Sequence, residues 1–292
     1  MGKVATNARA SDEGISVIIV SYNNLSVLMD CICSIEQMND IGDCLEVIVV
    51  EQSEDDSICS LIEAKYKWVH VIRRENGGFG AGNNAGAKIA THSHLLFLNP
   101  DTILRQPVFG YAISCFARDS KLGMFGVRLT DEKGSKNHSF NFRKRYGITR
   151  SLLWHVCDKI DLFLPNVMYT SGADIFIRKD VFNLAGQFDE NIFMYNEETD
   201  LSDRVNRLGY KCGYFSSKEI VHLEGRASGN TNSFQRLLDS LIYLCEKNGE
   251  SPRRVLKKMK RDRVIKALLG WSVSVQRIEI GVLEDRISRL TR

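Results

Sequence analysis

The residues of this chain best suited to chemistry are Asp101, the acids Glu197, Glu198 and Asp200, and His222. Asp101 closes Asn99-Pro100-Asp101 directly after the apolar run His94-Leu95-Leu96-Phe97-Leu98. An apolar strand stopped by a carboxylate holds a charge at the rim of a sheet, where open α/β sheets bind their ligands. Pro100 biases Asn99 toward extended backbone, so Asp101 projects from a defined corner. There it suits a hard divalent cation of the kind held by one or two carboxylates against a diphosphate. A turn or helix-cap role, shared with Thr102, is the structural alternative. Glu197, Glu198 and Asp200 crowd together just after the aromatic-rich Phe193-Met194-Tyr195. Placement at a helix N-terminus explains one or two such acids, at ~0.3–1 kcal/mol each. Crowded carboxylates also raise one another's pKa, which suits one of them to general-base work near neutrality. His222 follows Ile220-Val221 at a strand end. Beside Asp101 its imidazole would favour Mn²⁺ over Mg²⁺, with a purely structural histidine as the alternative.

A glycine-rich run, Asn76-Gly77-Gly78-Phe79-Gly80-Ala81-Gly82-Asn83-Asn84-Ala85-Gly86, permits close backbone approach ahead of a helix whose N-terminus favours an anion. Gly80-x-Gly82-x-x-Ala85, with Asp101 about twenty residues on, satisfies the relaxed dinucleotide fingerprint. That fingerprint belongs to the first strand–helix turn of its domain. Here other strands precede it, and the first turn, Ser21-Tyr22-Asn23-Asn24, has no glycine. The alternative is a tight turn followed by small residues where a helix packs on the sheet.

Positioning these groups requires a scaffold, and 292 residues at 43% apolar and 26% charged content suffice for one large α/β domain or two small ones. The net charge of +3 excludes the broad basic face of a dedicated nucleic-acid binder. Of eight cysteines only Cys31-x-Cys33 is closely spaced, without zinc or redox spacing, so reduced cysteines of a cytosolic protein are expected. Residues 1–13 lack the apolar core of a signal peptide, and no window approaches the ~18 consecutive apolar residues of a spanning helix. A soluble or peripheral protein is expected.

Ser16–Val20, Leu45–Val50 ending in Glu51, Trp68–Arg73 and His94–Leu98 read as strands, alternating with helical patterns such as Leu25, Leu28, Ile32 and Ile35. That alternation predicts parallel strands joined by crossover helices. Past residue 102, strand candidates at 124–129, 173–178 and 212–215 surround a polar stretch, 131–147, and are expected as antiparallel additions. Leu201, Val205 and Leu208 have helical spacing, stopped by Gly209. The expected organisation is a tail over 1–14, one domain over 15–245, and a basic, amphipathic helical segment over 246–292.

With these pieces in order, the chain resembles the inverting family-2 glycosyltransferases of the GT-A fold, in particular their rhamnosyltransferase-like branch. The resemblance runs from about residue 15 to 245. It rests on Val17–Asn23, the strand 45–51, the 76–86 block and Phe97–Thr102, then on Ser171-Gly172-Ala173, Gly186-x-Phe188-Asp189-Glu190, the acids of 197–200 with Leu201 and Arg204, Gly209-Tyr210, and Val221-His222-x-x-Gly225. It implies an open, twisted, mixed but mostly parallel sheet flanked by helices.

The same resemblance implies a donor site formed by Ser21, Tyr22, Asn23, Glu51, Ser53, Gly78, Phe79, Gly82, Asn83, Asn99 and Asp101. Asp101 stands where the family's Asp-x-Asp motif ends and Asn99 occupies its first acidic slot, so a Mn²⁺ or Mg²⁺ ion would rest on Asp101 and His222. Glu198 falls where the family has its catalytic Asp, with Glu197 and Asp200 as the alternative bases. Glu51-Gln52 departs from the usual Asp-Asn or Asp-Asp. The implied reaction is transfer of a sugar, rhamnose favoured over UDP-hexoses or UDP-galactofuranose, to a saccharide or polyprenol-linked acceptor in bacterial cell-surface polysaccharide synthesis. The rivals are a dinucleotide oxidoreductase built on Gly80-Ala81-Gly82 and a nucleotide-binding scaffold without catalysis. In the tail, eight basic residues from Arg253 to Lys266 surround Val255, Leu256, Met259, Val264, Ile265 and Leu268-Leu269, with Trp271 beyond. The reading is an anionic membrane surface bound through 252–271, at the inner face of the cell membrane. Packing on the domain, or on a second subunit in a homodimer, is the alternative.

Overall fold

The computed structural model describes residues 13–55, 57–143, 147–223 and 233–290. In chain order the first half contains β1 (Ile15–Ser21), α1 (Leu25–Gln37), β2 (Leu45–Glu51), α2 (Ser57–Lys65), β3 (Val69–Arg73), α3 (Phe79–Ile89), β4 (His94–Leu98) and the two-residue β5 (Thr102–Ile103). Then follow α4 (Phe109–Arg118), β6 (Leu122–Thr130), β7 (Phe140–Phe142), α5 (Ile148–Lys159), β8 (Met168–Thr170), β9 (Asp174–Arg178) and α6 (Lys179–Leu184). The chain continues with α7 (Glu197–Arg207), β10 (Lys211–His222), α8 (Ser233–Lys247), α9 (Pro252–Leu268) and α10 (Val273–Arg289).

Eight strands form one sheet in the order β3-β2-β1-β4-β9-β6-β10-β5, and β7 pairs with β8 apart from it. The apolar continuity of β1 and β4 reflects burial on both faces. Val17 and Ile19 of β1 point into one core with α1 and α4, where Leu28, Ile32, Phe109 and Phe116 meet them. Ile18 points the other way, into a core shared with Phe182, Leu201 and Val205. On that second face α3 lies so close that a Cβ at Gly86 would fall 2.5 Å from an Ile18 methyl. A Cβ at Gly82 would fall 2.8 Å from both Val20 methyls. These glycines serve helix-on-sheet packing.

The later strands differ from expectation in direction. Within the eight-stranded sheet only β9 and β5 run against their neighbours; β6 and β10 are parallel to each other and share the direction of β1 and β4. A helix leads into each of β6 and β10, α4 and α7 respectively, after a strand, β5 or β9, that runs the opposite way. The candidate strand at 212–215 and the strand end at 220–222 are one strand, with a register shift between Phe215 and Glu219 where Ser216, Ser217 and Lys218 interrupt the apolar pattern.

Beyond the sheet, α8, α9 and α10 close around Leu238, Leu256 and Leu283, with Met259 against the same cluster. Val255 and Leu256 are buried, so this part of the tail's apolar stripe faces the protein. Gly225 and residues 1–12 lie outside the described residues. Among the described residues no helix is long and apolar enough to cross a membrane.

Candidate active site

The carboxyl ends of β1, β2, β4 and β10 reach one rim, and the reversed β9 brings its opposite end there. Leu98 pairs with Asp174, and the Asn99 N–H donates to the Ala173 carbonyl at 3.0 Å. The Ser171-Gly172-Ala173 segment is thereby set beside Asn99-Pro100-Asp101. A cavity of about 640 Å³ opens along this rim. Of the expected residues, Tyr22, Gly78, Phe79, Asn99, Asp101, Glu197, Glu198 and His222 line it.

One wall is the corner around Asp101. The Thr102 hydroxyl donates to the Asn99 carbonyl at 2.8 Å, and the Leu223 N–H donates to the Asp101 carbonyl at 2.9 Å. Backbone bonds therefore close the turn, leaving the Asp101 side chain, 2% exposed, to face His222. Asp101 Oδ1 lies 3.4 Å from His222 Nε2, and Asn99 Nδ2 lies 3.5 Å from the same nitrogen. Beneath the turn, the buried Cys31 thiol lies 3.5 Å from the Thr102 hydroxyl, and burial pushes it up to about 12. Among the described residues no cluster of three or more His, Cys, Asp or Glu could hold a metal alone. A cation shared with phosphate oxygens needs only one or two protein ligands, and adjacent ligands of an octahedral ion at ~2.1 Å stand roughly 3 Å apart. The Asp101–His222 pair fits that requirement.

The opposite wall carries the acids. Tyr195 and Asn196 take left-handed conformations, φ 72° and 69°, immediately before α7. Two successive residues there are costly, about 1–3 kcal/mol for the tyrosine, and such strain concentrates where side chains must be aimed. The turn delivers Glu197 and Glu198, 6% and 8% exposed, into the cavity. Glu198 passes beside Gly172, where an added Cβ would stand 3.9 Å from the Glu198 Cβ, an ordinary contact. Gly78, at φ 90°, seals the same wall: an added Cβ would fall 2.1 Å from the Phe193 carbonyl, which already accepts the Phe79 N–H at 3.0 Å.

Asp200 does not line the cavity. Arg204 binds it through Nε at 2.9 Å, and the Lys247 ammonium reaches it at 2.8 Å from α8. Lys247 also donates to Asp189 at 2.7 Å, as does the Tyr243 hydroxyl at 2.8 Å. Ser240 donates to the Met194 carbonyl at 2.7 Å. Helix α8 thus clamps the strained turn from behind. Burial opposes ionisation of Asp189, but hydrogen bonds from Lys247, Asn191 and Tyr243 outweigh it and hold the carboxyl well below the usual range.

Lys247→Met, which removes the cation shared by both carboxylates and leaves Asp200 to Arg204 and Asp189 to Tyr243 and Asn191, is expected to cost about 1–2 kcal/mol, or roughly 2–8 °C in Tm for a domain of this size. A depressed carboxyl pKa stabilises the fold above the ordinary value, about 3.9, and that contribution fades as acid protonates it. Thermal melts should therefore show the deficit in full at neutral pH and a shrinking one in strong acid. Equal melting of both proteins at neutral pH would remove the clamp.

The remaining expected donor residues sit deeper. Ser21 and Glu51 are fully buried. Glu51 Oε1 accepts from the Ser53 N–H at 2.8 Å and from its hydroxyl, which in turn accepts the Asn23 N–H at 2.6 Å. Glu51 and Ser53 thereby brace the loop that exposes Tyr22 beside Gln52. Asn83 donates to the Phe79 carbonyl within α3. Gly80 and Gly82 also lie inside α3, where the dinucleotide fingerprint would need a turn. The oxidoreductase rival loses its phosphate cradle.

Sequence reasoning missed Ser233 and Arg236 of α8, which line the cavity, with Arg236 5.3 Å from the Phe193 ring centre. No local signal marks them; only the docking of α8 brings them in.

A family model described as glycosyltransferase like family 2 matches residues 12–238. The N-acetylglucosaminyl-diphospho-decaprenol L-rhamnosyltransferase of Mycobacterium tuberculosis is 36% identical over 63 residues, 22% of this chain and 20% of the relative. The poly-β-1,6-N-acetyl-D-glucosamine synthase of Staphylococcus aureus is 24% identical over 205 residues, 69% of this chain and 48% of the relative. The chain thus spans at most about half the length of these curated relatives. A crystal structure of GalNAc-T7 with UDP, GalNAc and Mn²⁺ superposes with a TM-score of 0.57 at 15% identity, over 79% of this chain and 48% of the other. At that identity the likeness is one of fold, the GT-A fold.

Proposed function

The chain belongs to glycosyltransferase family 2, and from that premise we propose that it moves a sugar from a nucleoside-diphosphate donor to an acceptor hydroxyl, with inversion. The observation that carries the proposal is the pairing of opposed chemistries across one cavity. Asp101 and His222 stand on one wall, Glu197 and Glu198 on the other. In this reading the nucleoside lies against Tyr22 and Gln52, above the Glu51–Ser53 brace. Its diphosphate lies at Asp101 and His222, the residues that would hold a divalent cation there. Such a cation supplies positive charge against the diphosphate as it departs.

Glu198 takes the proton of the acceptor hydroxyl. The oxygen forms its bond to the anomeric carbon on the face opposite the diphosphate, the carbon–phosphate-oxygen bond breaks, and the nucleoside diphosphate leaves with the electron pair. Glu197 shares the wall and keeps the local field negative, favouring proton uptake by its neighbour. Asp200, held by Arg204 and Lys247, positions α7.

Rhamnose is the favoured sugar, supported by the resemblance through Asn99-Pro100-Asp101 and by the short match to a rhamnosyltransferase. The acceptor proposed is a saccharide or polyprenol-linked saccharide. A screen of deoxythymidine-diphospho-rhamnose, UDP-hexoses and UDP-galactofuranose, read as cation-dependent release of nucleoside diphosphate, tests the proposal. Release from the rhamnose donor is expected. Release from a UDP-sugar alone would keep the reaction and replace the sugar. Binding of every diphosphate without any release would leave a scaffold.

A further inference from the structure

Helix α5 and the segment after it carry apolar side chains on the outside of the protein. Trp154 and Cys157 face inward, packed with Phe140 and Met168. Around the rest of the helix surface, Leu152, Leu153, Val156 and Ile160 are exposed, Ile160 to 63%. Leu162, Leu164 and Val167 extend the exposure past the helix end. Single exposed apolar residues need no explanation, whereas a helix face of them marks a contact surface.

The face is continuous with the end of α9. The N-terminal Gly147 N–H of α5 donates to Asp262 of α9, and the His155 ring lies 6.2 Å from that of Trp271, just past α9. On α9 the exposed side, opposite Val255, Leu256 and Met259, begins with Arg253, Arg254, Lys257, Lys258 and Arg261. It ends in apolar side chains, Val264, Leu268 at 81% exposure and Leu269. Part of the tail's membrane-type pattern therefore survives: Val264, Leu268 and Leu269 stay outside and are joined by the α5 stripe, whereas Leu256 and Met259 are spent on the helical cluster.

We propose that this compound face, the outer stripe of α5 with the α9 end and the cationic run beside it, docks on an anionic lipid bilayer surface. Charge complementarity selects that occupant. Cations beside an exposed apolar stripe match acidic headgroups above an acyl boundary, each basic side chain near the surface strengthening the attraction. A second copy of the chain would bring the same cations toward themselves across a twofold axis. The inference stands apart from the transferase reading, since it concerns binding alone.

Co-sedimentation of the full chain with phosphatidylcholine vesicles, with and without phosphatidylglycerol, tests it. Binding only to the anionic vesicles, weakened by salt, is expected. Val156→Asp should reduce that binding roughly tenfold, and Lys257→Glu with Lys258→Glu by a similar factor or more, with unchanged thermal melting because these positions are exposed. Absence of binding at low salt, or wild-type binding by Val156→Asp, would overturn the proposal. So would a dimer in sedimentation velocity that Val156→Asp disperses while vesicles bind nothing; that result would assign the face to a second copy.

Discussion

Asp101→Ala is expected to lower sugar transfer by roughly 10³-fold or more while leaving the protein folded. The size follows from Asn99: with a neutral amide in the first slot of the corner, one carboxylate carries the whole negative share of the proposed cation site. Removing it leaves His222, a neutral donor that holds a hard cation weakly. Folding should survive because the corner is closed by main-chain bonds, Asn99 to Ala173 and Leu223 to Asp101, and by the Thr102 hydroxyl. None of these uses the Asp101 carboxylate. Nucleoside diphosphate release measured across a Mn²⁺ titration, beside a thermal melt, checks both halves. Turnover within a few-fold of wild type would place the cation, or the diphosphate, elsewhere. Asn99→Asp should act in the opposite sense on the cation, lowering the concentration needed for half-maximal activity.

Glu198→Gln is expected to lower kcat by roughly 10²–10⁴-fold with little change in donor KM. The amide keeps the length and packing of the side chain and removes only the ability to accept a proton. Glu197→Gln, on the same wall, should be milder, because that residue tunes the field. Asp200→Asn should act on stability, since it weakens the ion pairs with Arg204 and Lys247. Kinetics of the three variants, each with its melting temperature, separate these roles. A deeper kcat loss in Glu197→Gln than in Glu198→Gln would transfer the base to Glu197.

The different fates of these acids explain much of what the sequence could and could not reveal. Their closeness in sequence makes them look like one cluster. On a helix each residue turns by about 100°, so Glu198 and Asp200 leave α7 about 200° apart. One faces the cavity and the other faces α8. Which of them faced the cavity depended on the direction of α7 against the sheet and on the left-handed Tyr195–Asn196 turn, a non-local constraint. The glycine block divides in the same way. Its composition marks a close approach of backbone to something, yet Gly82 and Gly86 approach Val20 and Ile18 of the sheet, and only the Gly78 end borders the cavity.

By itself the sequence determined the parallel core, because continuous β-branched and apolar runs between helical periods leave few other ways to bury both faces. It also determined Asp101 as the charged stop at the rim, because a proline-bounded carboxylate after a buried strand has nowhere else to lie. Only the tertiary structure decided the reversal of β9 that brings Gly172 beside Glu198. It likewise decided the entry of Arg236 into the cavity, the engagement of Lys247 with Asp189 and Asp200, and the outward face of α5. Each of these depends on contacts between segments far apart in the chain, and local preference carries no information about which distant surface a segment will meet.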